Sequence, residues 1–223
     1  MENFGKPSTE TPAESESKHR VEAAETFVRA MIDACRAEGN DAITAGHLED
    51  LRAFALGIKP AIYGEWTNAM IWNSPELKAR LATTDADIGI YPNLILHRTL
   101  IEKRLREEPA LAKELGWNEE ETIESIAARV NSDDPSRDGL AGFLAGFPAS
   151  TIRGFIAYDK LGKRERAASS VARHSVVVTA PNGNDVYQFV AFGEHGDQAA
   201  DVKALQASVD AAYRKLYPDE EAT

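Results

Sequence analysis

Apolar residues recur along most of this chain at intervals of three and four, a spacing that predicts a succession of amphipathic helices. Val21, Ala24, Phe27, Val28, Met31, Ile32 and Cys35 share one helical face, and Gly39-Asn40 ends that run. Thr44 is a suitable N-cap for a helix over 45–56, stopped by Gly57 and then Pro60. Ser74-Pro75-Glu76 combines a capping hydroxyl, a first-turn proline and an acid, and starts a helix reaching about Ala82. Asn93 is placed to cap a helix through Glu107, with Leu94, Leu96, Leu100, Ile101 and Leu105 as its apolar positions and His97 as a hydrogen-bonded core or boundary histidine. Pro109 opens a short helix ending at Gly116. Asn118, followed by three glutamates, caps one that buries Ile123, Ile126, Ala127 and Val130.

The helical period breaks in three places. Residues 61–72 are aromatic and irregular, and Tyr63, Trp66 and Trp72 read as core anchors, with the wall of a ligand pocket as the other reading. Residues 88–91 form a short strand or extended chain. Stretches 174–180 and 186–192 are rich in Val, Tyr and Phe and flank Pro181-Asn182-Gly183-Asn184, which predicts a β-hairpin. Asp197 then caps a closing helix with Val202, Leu205, Val209, Ala212 and Leu216 on one face and Arg214 and Lys215 in its last turn. A lone two-stranded hairpin is marginal in water. The closing helix is its nearest cover, and a third strand would come from 88–91 or from a second copy of the chain.

The expected fold class is therefore α+β and predominantly α: seven or eight helices, then the hairpin and a closing helix. Residues 1–17 are polar and read as a disordered tail. A helical region over 18–133 and a helix pair, hairpin and closing helix over 134–217 follow, with one continuous domain as the alternative division.

Charge and composition narrow the function. The formal net charge of −11 repels nucleic acid and anionic membranes at long range. It is unevenly spread: between Ser136 and Val176, seven basic residues face three acidic ones. Cys35 is the only cysteine, so no internal disulfide and no cysteine-rich metal site can form, and it reads as a packed core thiol. The first twenty residues lack the apolar core of a secretory signal, and no stretch approaches the roughly 20 apolar residues that span a bilayer. A cytoplasmic protein with no membrane association is expected.

Catalytic fingerprints are missing from the sequence. Glu194-His195-Gly196-Asp197 gathers ionisable groups near a strand end, but no further ligand or base stands at a useful spacing, and Asp197 serves as a helix cap. No phosphate-binding loop, nucleophile elbow or zinc-protease helix occurs. No catalytic residue, cofactor site or metal site is assigned.

The most organised stretch runs from Asp134 to Lys163. Asp134 or Ser136 can cap a helix with Leu140, Phe143 and Leu144 on one side, while Gly139, Gly142 and Gly146 recur at helical spacing. Each glycine in a helix interior costs roughly 1 kcal/mol against alanine, so close approach of another element is the expected compensation. Gly146 suits a left-handed turn and Pro148 the first turn of a second helix, whose Ile152, Phe155 and Ile156 face back toward Phe143 and Phe147. With a small residue at Gly142, the turn at Gly146-Phe147, then Thr151-Ile152 and Phe155, the stretch resembles the helix-turn-helix unit of bacterial DNA-binding regulators. That resemblance implies that the second helix enters the major groove. Ala149, Ser150, Arg153 and Ala157 would then face DNA, Lys160, Lys163, Arg164 and Arg166 would contact phosphate, and the hairpin would act as a wing. The competing reading is an ordinary helical hairpin whose small residues permit tight packing.

The first functional expectation is a non-catalytic intracellular binding or regulatory protein that works through protein contacts, self-association among them. A helix-turn-helix DNA-binding regulator is the alternative. A small-molecule-binding protein or enzyme, with a pocket near residues 63–72 and His195, is the third.

Overall fold

The computed structural model describes residues 12–37, 45–64, 87–161, 170–183 and 185–217, together with isolated positions between 65 and 86 and at 165. In chain order these form α1 (Pro12–Ala37), α2 (Ala45–Ala55), β1 (Ala61–Tyr63), β2 (Ile88–Tyr91), β3 (Leu94–His97), α3 (Arg98–Glu107), α4 (Pro109–Glu114) and α5 (Ile123–Val130). There follow α6 (Arg137–Leu144), α7 (Ala149–Asp159), β4 (Arg173–Thr179), β5 (Asp185–Phe192), one 3₁₀ turn at Gly196–Gln198, and α8 (Ala200–Leu216). The predominantly helical α+β architecture read from the sequence is the one that forms. Residues 12–17, expected within a disordered tail, are instead the start of α1. No described helix is long and apolar enough to cross a membrane.

The main departure lies at β3. The helix expected to start at Asn93 begins instead at Arg98, and residues 94–97 are the middle strand of an antiparallel sheet ordered β1-β3-β2. All four residues of β3 are buried, so their run has no alternation that would separate strand from helix by periodicity. The turn decides it. Pro92 presets one backbone angle and Asn93 takes a left-handed conformation (φ 55°), which reverses the chain between Tyr91 and Leu94. Ile95 then faces Ile62 of β1 on one side and Ile90 of β2 on the other. His97 is the core histidine that was expected. Its ring stacks on Phe54 at 4.1 Å, and Nε2 lies 2.8 Å from the Phe54 carbonyl oxygen.

Two expected caps also move. Asn118 Oδ1 accepts from the Glu120 N–H at 3.0 Å in the turn before α5, while Thr122 caps the helix by accepting from the Ser125 N–H at 3.2 Å. Asp197 falls in the 3₁₀ turn, 3.9 Å from His174 Nδ1, and Ala199 occupies the N-cap of α8. The cap at Thr44, Trp66 and the side chain of Cys35 lie outside the described residues, as does most of the helix expected after Ser74.

Three groups of buried side chains hold the elements together. One packs β1, β3 and α3–α5 against α6 and α7, with Leu96, Ile101, Ile126 and Phe143 near its centre. A second places the inner face of the β4–β5 hairpin (Val176, Val178, Tyr187, Phe189, Ala191) on α2 and α8 through Ala53, Leu56, Val202, Val209 and Tyr213. The third sets α1 and α2 on the first sheet through Met31, Leu51, Phe54 and Ile95. The first two draw residues from both sides of position 133.

The hairpin pairs Val176 with Phe189 and Val178 with Tyr187, then shifts register at Thr179, so that Val186 and Tyr187 are both buried. As expected, α8 covers its inner face. Residues 88–91 do not extend it, because they pair with β3 in the other sheet, and among the described residues the hairpin remains two-stranded. Gln206 of α8 closes the end of β4: its Oε1 accepts from the Thr179 N–H at 3.2 Å and its Nε2 donates to the Thr179 carbonyl at 2.7 Å, as a paired strand would.

Candidate binding cleft

Helix α6 has no solvent face over most of its length, since Gly139 through Leu144 are all buried. A helix apolar on every side must be surrounded, and the glycines let that happen. A Cβ on Gly139 would stand 2.8 Å from Leu115 Cδ2 and 3.0 Å from Ile156 Cδ1. Gly146 ends the helix at φ 91°, where a Cβ would meet the Tyr187 hydroxyl at 2.8 Å and Pro60 Cδ at 3.0 Å. The close approach inferred from the glycine spacing is thus present in the fold.

Helix α7 leans on two partners. Ile152 and Ile156 face α6, as expected, but Phe155 turns the other way, toward β5, where its ring centre lies 6.4 Å from that of Phe192. Gly154 makes this contact possible: a Cβ there would fall 2.7 Å from Phe192 Cβ. Gly154→Ala is therefore expected to destabilise the protein. Alanine in an exposed helix gains roughly 1 kcal/mol over glycine, whereas here overpacking of about 1–3 kcal/mol opposes that gain. Urea unfolding checks the sign, and a raised midpoint would contradict the contact.

Between the two helices and the edge of β5 lies a cleft of about 320 Å³. Gly139, Ala141, Gly142 and Ala145 line it with little more than backbone, and aromatic rings from Tyr63, Phe147, Phe155, Phe189 and Phe192 surround it. Tyr63 packs against the core and lines the cleft at once, so it meets both readings of the aromatic segment. The one charged residue among the lining groups is Asp138, exposed at the rim, with its Oδ1 3.3 Å from Arg137 Nε. Thr151 also lines the cleft. It is 4% exposed, and among the described residues its Oγ1 has no hydrogen-bond partner.

Behind the cleft a largely buried cation holds the turn. Arg104 Nη2 donates to the Phe147 carbonyl at 2.6 Å, and its guanidinium stands 4.7 Å from the centre of the Phe143 ring. Burial pulls its pKa below the ordinary arginine value, and the Glu108 carboxylate at 3.3 Å opposes that shift. Lys59 is likewise buried, donating to Asp50 at 2.6 Å above the Tyr187 ring. Neither cation stands out in the sequence, because each answers to acids and carbonyls that only the fold brings near.

Immediately beside the cleft is the outer face of the hairpin. Val171, Val177 and Val190 are exposed by 43%, 41% and 44%, and they are the large hydrophobic residues that stand out in solvent among the described residues. Val177 and Val190 lie on the same face, opposite Gln188 and Ser175 respectively.

The residues implied by the helix-turn-helix resemblance are placed differently from one another. Ser150 donates its N–H and its hydroxyl to the Asp201 carboxylate, both at 2.7 Å, so that Asp201 seals the start of α7. Arg153 makes a two-pronged pair with Glu114 at 2.7 and 2.8 Å, which holds the Glu114 carboxyl below its ordinary pKa. Lys160 is exposed at the end of α7. Lys163, Arg164 and Arg166 lie outside the described residues. The exposed side of α7 thus presents Arg153 paired with an acid from α4, with Ala157 also exposed. His195 is exposed, and among the described residues no three His, Cys, Asp or Glu side chains gather closely enough to hold a metal ion.

Thr151 belongs to the sequence motif, but nothing in the sequence marks its hydroxyl as unpaired. Compared with protein families, curated proteins and solved structures, the chain matches none.

Proposed function

We propose that this is a non-catalytic binding protein that works through protein contacts, and that its contact surface is the outer face of the β4–β5 hairpin. The occupant is a second copy of the chain. The observation that carries this reading is that Val177 and Val190 are exposed on one face of a two-stranded sheet whose other face packs into the core, with Val171 exposed just before β4. Apolar side chains scattered singly need no explanation, but a cluster on one sheet face marks an interaction site.

The face also complements itself. Arg173 is exposed at one end of the hairpin and Asp185 at the other, so a two-fold arrangement sets opposite charges together around the valines. Interfaces of this small size are weak and transient. Two molecules of net charge −11 repel each other, and salt that screens this repulsion should strengthen the association.

Light scattering over rising concentration tests the reading. The wild-type mass is expected to climb from 24.3 kDa toward twice that value, more readily in high salt. Val177→Lys is expected to keep the monomer mass throughout while melting at the same temperature. A wild-type chain that stays at 24.3 kDa at every concentration and salt would overturn the proposal.

A further inference from the structure

Thr151 poses a problem that the fold leaves unsolved. A buried hydroxyl without a partner costs about 1–3 kcal/mol, and most such groups in folded proteins are paired. The usual helical solution is a hydrogen bond from threonine Oγ1 to the carbonyl four residues earlier. That carbonyl belongs to Phe147, which precedes the helix and accepts from Arg104 at 2.6 Å. Among the described residues the hydroxyl has no partner, and Thr151 lines an otherwise apolar cleft.

We infer that the cleft is a binding site for a small, flat, uncharged molecule with an aromatic body and one hydrogen-bonding group that pairs with the Thr151 hydroxyl. The volume of about 320 Å³ lies at the lower end of ligand sites and suits one or two fused rings. The shape suits a flat body: Gly139 and Gly142 bring backbone to one side, and the rings of Phe147, Phe155 and Phe192 offer stacking and edge contacts around it. Charge disfavours an anion. Among the described residues no cation lines the cleft, and Asp138 stands at its rim, 3.3 Å from Arg137. Threonine in a helix has two accessible side-chain rotamers, so Oγ1 can turn to the ligand without backbone movement.

The cleft and the proposed self-association face share Val190 on β5, whereas Val177 lies outside the cleft, so variants at Val177 and Thr151 separate the two readings. β-Naphthol, naphthalene and β-naphthoate share a ring system and differ in the group they carry, so an NMR titration with the three reads the site directly. β-Naphthol is expected to bind most tightly, naphthalene less tightly and the anion least. Thr151→Val keeps the side-chain shape and removes the hydroxyl. It is expected to weaken β-naphthol by roughly three- to tenfold, leave naphthalene unchanged and leave the fold at least as stable. Ala145→Phe, which fills the cleft, is expected to abolish both, with its fold checked by circular dichroism. Val177→Lys, outside the cleft, is expected to change neither. Absence of saturable binding by all three probes, tightest binding of the anion, or equal β-naphthol affinity in Thr151→Val and wild type would overturn the inference.

Discussion

Phe143→Ala is expected to lower the unfolding free energy by about 3–5 kcal/mol, the range for removing a fully buried aromatic side chain. Phe143 is 1% exposed and sits where α6 meets the first sheet and α3. Two terms add in this loss. The ring's contacts with the surrounding aliphatic side chains disappear, and the neighbours can close the gap only in part, because Phe143 is packed where several elements meet. In addition, the Arg104 guanidinium loses the ring face 4.7 Å from it, although it keeps its bond to the Phe147 carbonyl. Guanidinium unfolding measures the change, and Phe143→Leu, which retains most of the volume, should recover more than half of it. A loss below about 1 kcal/mol for Phe143→Ala would place α6 at the surface and contradict the packing described.

Gly146→Val should be nearly as damaging, at about 2–4 kcal/mol, for a different reason. At φ 91° a β-branched residue is strained by about 1–3 kcal/mol wherever it stands. Here its Cβ would also press on Pro60 and the Tyr187 hydroxyl, both within 3.0 Å. Tyr187 cannot swing aside. It is 2% exposed between the hairpin and α2, and burial has already pushed its phenol well above the ordinary tyrosine pKa. Gly183→Val provides the comparison. It has a similar backbone angle (φ 86°) with nothing within 4 Å of its Cβ position, so it should show the strain without the clash. Equal losses at the two positions would mean that the α6–α7 turn is not pressed against the hairpin.

These two sites show what could be read from the sequence. The glycine spacing in 139–146, a left-handed turn at Gly146 and the helix pair around it follow from backbone sterics and local periodicity, and they appear in the structure. The hairpin follows from Val, Tyr and Phe enrichment around turn residues, and its covering helix from the apolar face of Val202, Leu205, Val209, Ala212 and Leu216. β3 was hidden because four consecutive buried residues have no period, and because the sheet that buries them pairs segments on both sides of residues 65–86. That Phe155 packs on β5 instead of α6 is hidden for a related reason: a face shared with Ile152 and Ile156 says that residues are buried, but not against which element. The cleft was legible only in its materials, the small residues and aromatics. Its position depends on β5, more than thirty residues further on in the chain. The unpaired state of the Thr151 hydroxyl arises from the packing around the first turn of α7, which no local pattern reveals.

Helix-turn-helix geometry and DNA chemistry also separate here. The two helices and the glycine turn form, yet Ser150 and Arg153 are both engaged by carboxylates of the same chain. The hairpin that would serve as a wing lends one face to the core and exposes Val177 and Val190 beside Ser175 and Gln188 on the other.

Intermolecular nuclear Overhauser effects test the proposed role of that face most directly. In an equal mixture of isotope-labelled and unlabelled chains, the labelled methyls of Val177 and Val190 should show contacts to protons of the unlabelled copy, centred on the same two strands. Those contacts should vanish in Val177→Lys. Association above 24.3 kDa without any contact at these methyls would assign self-association to another surface and contradict the proposal.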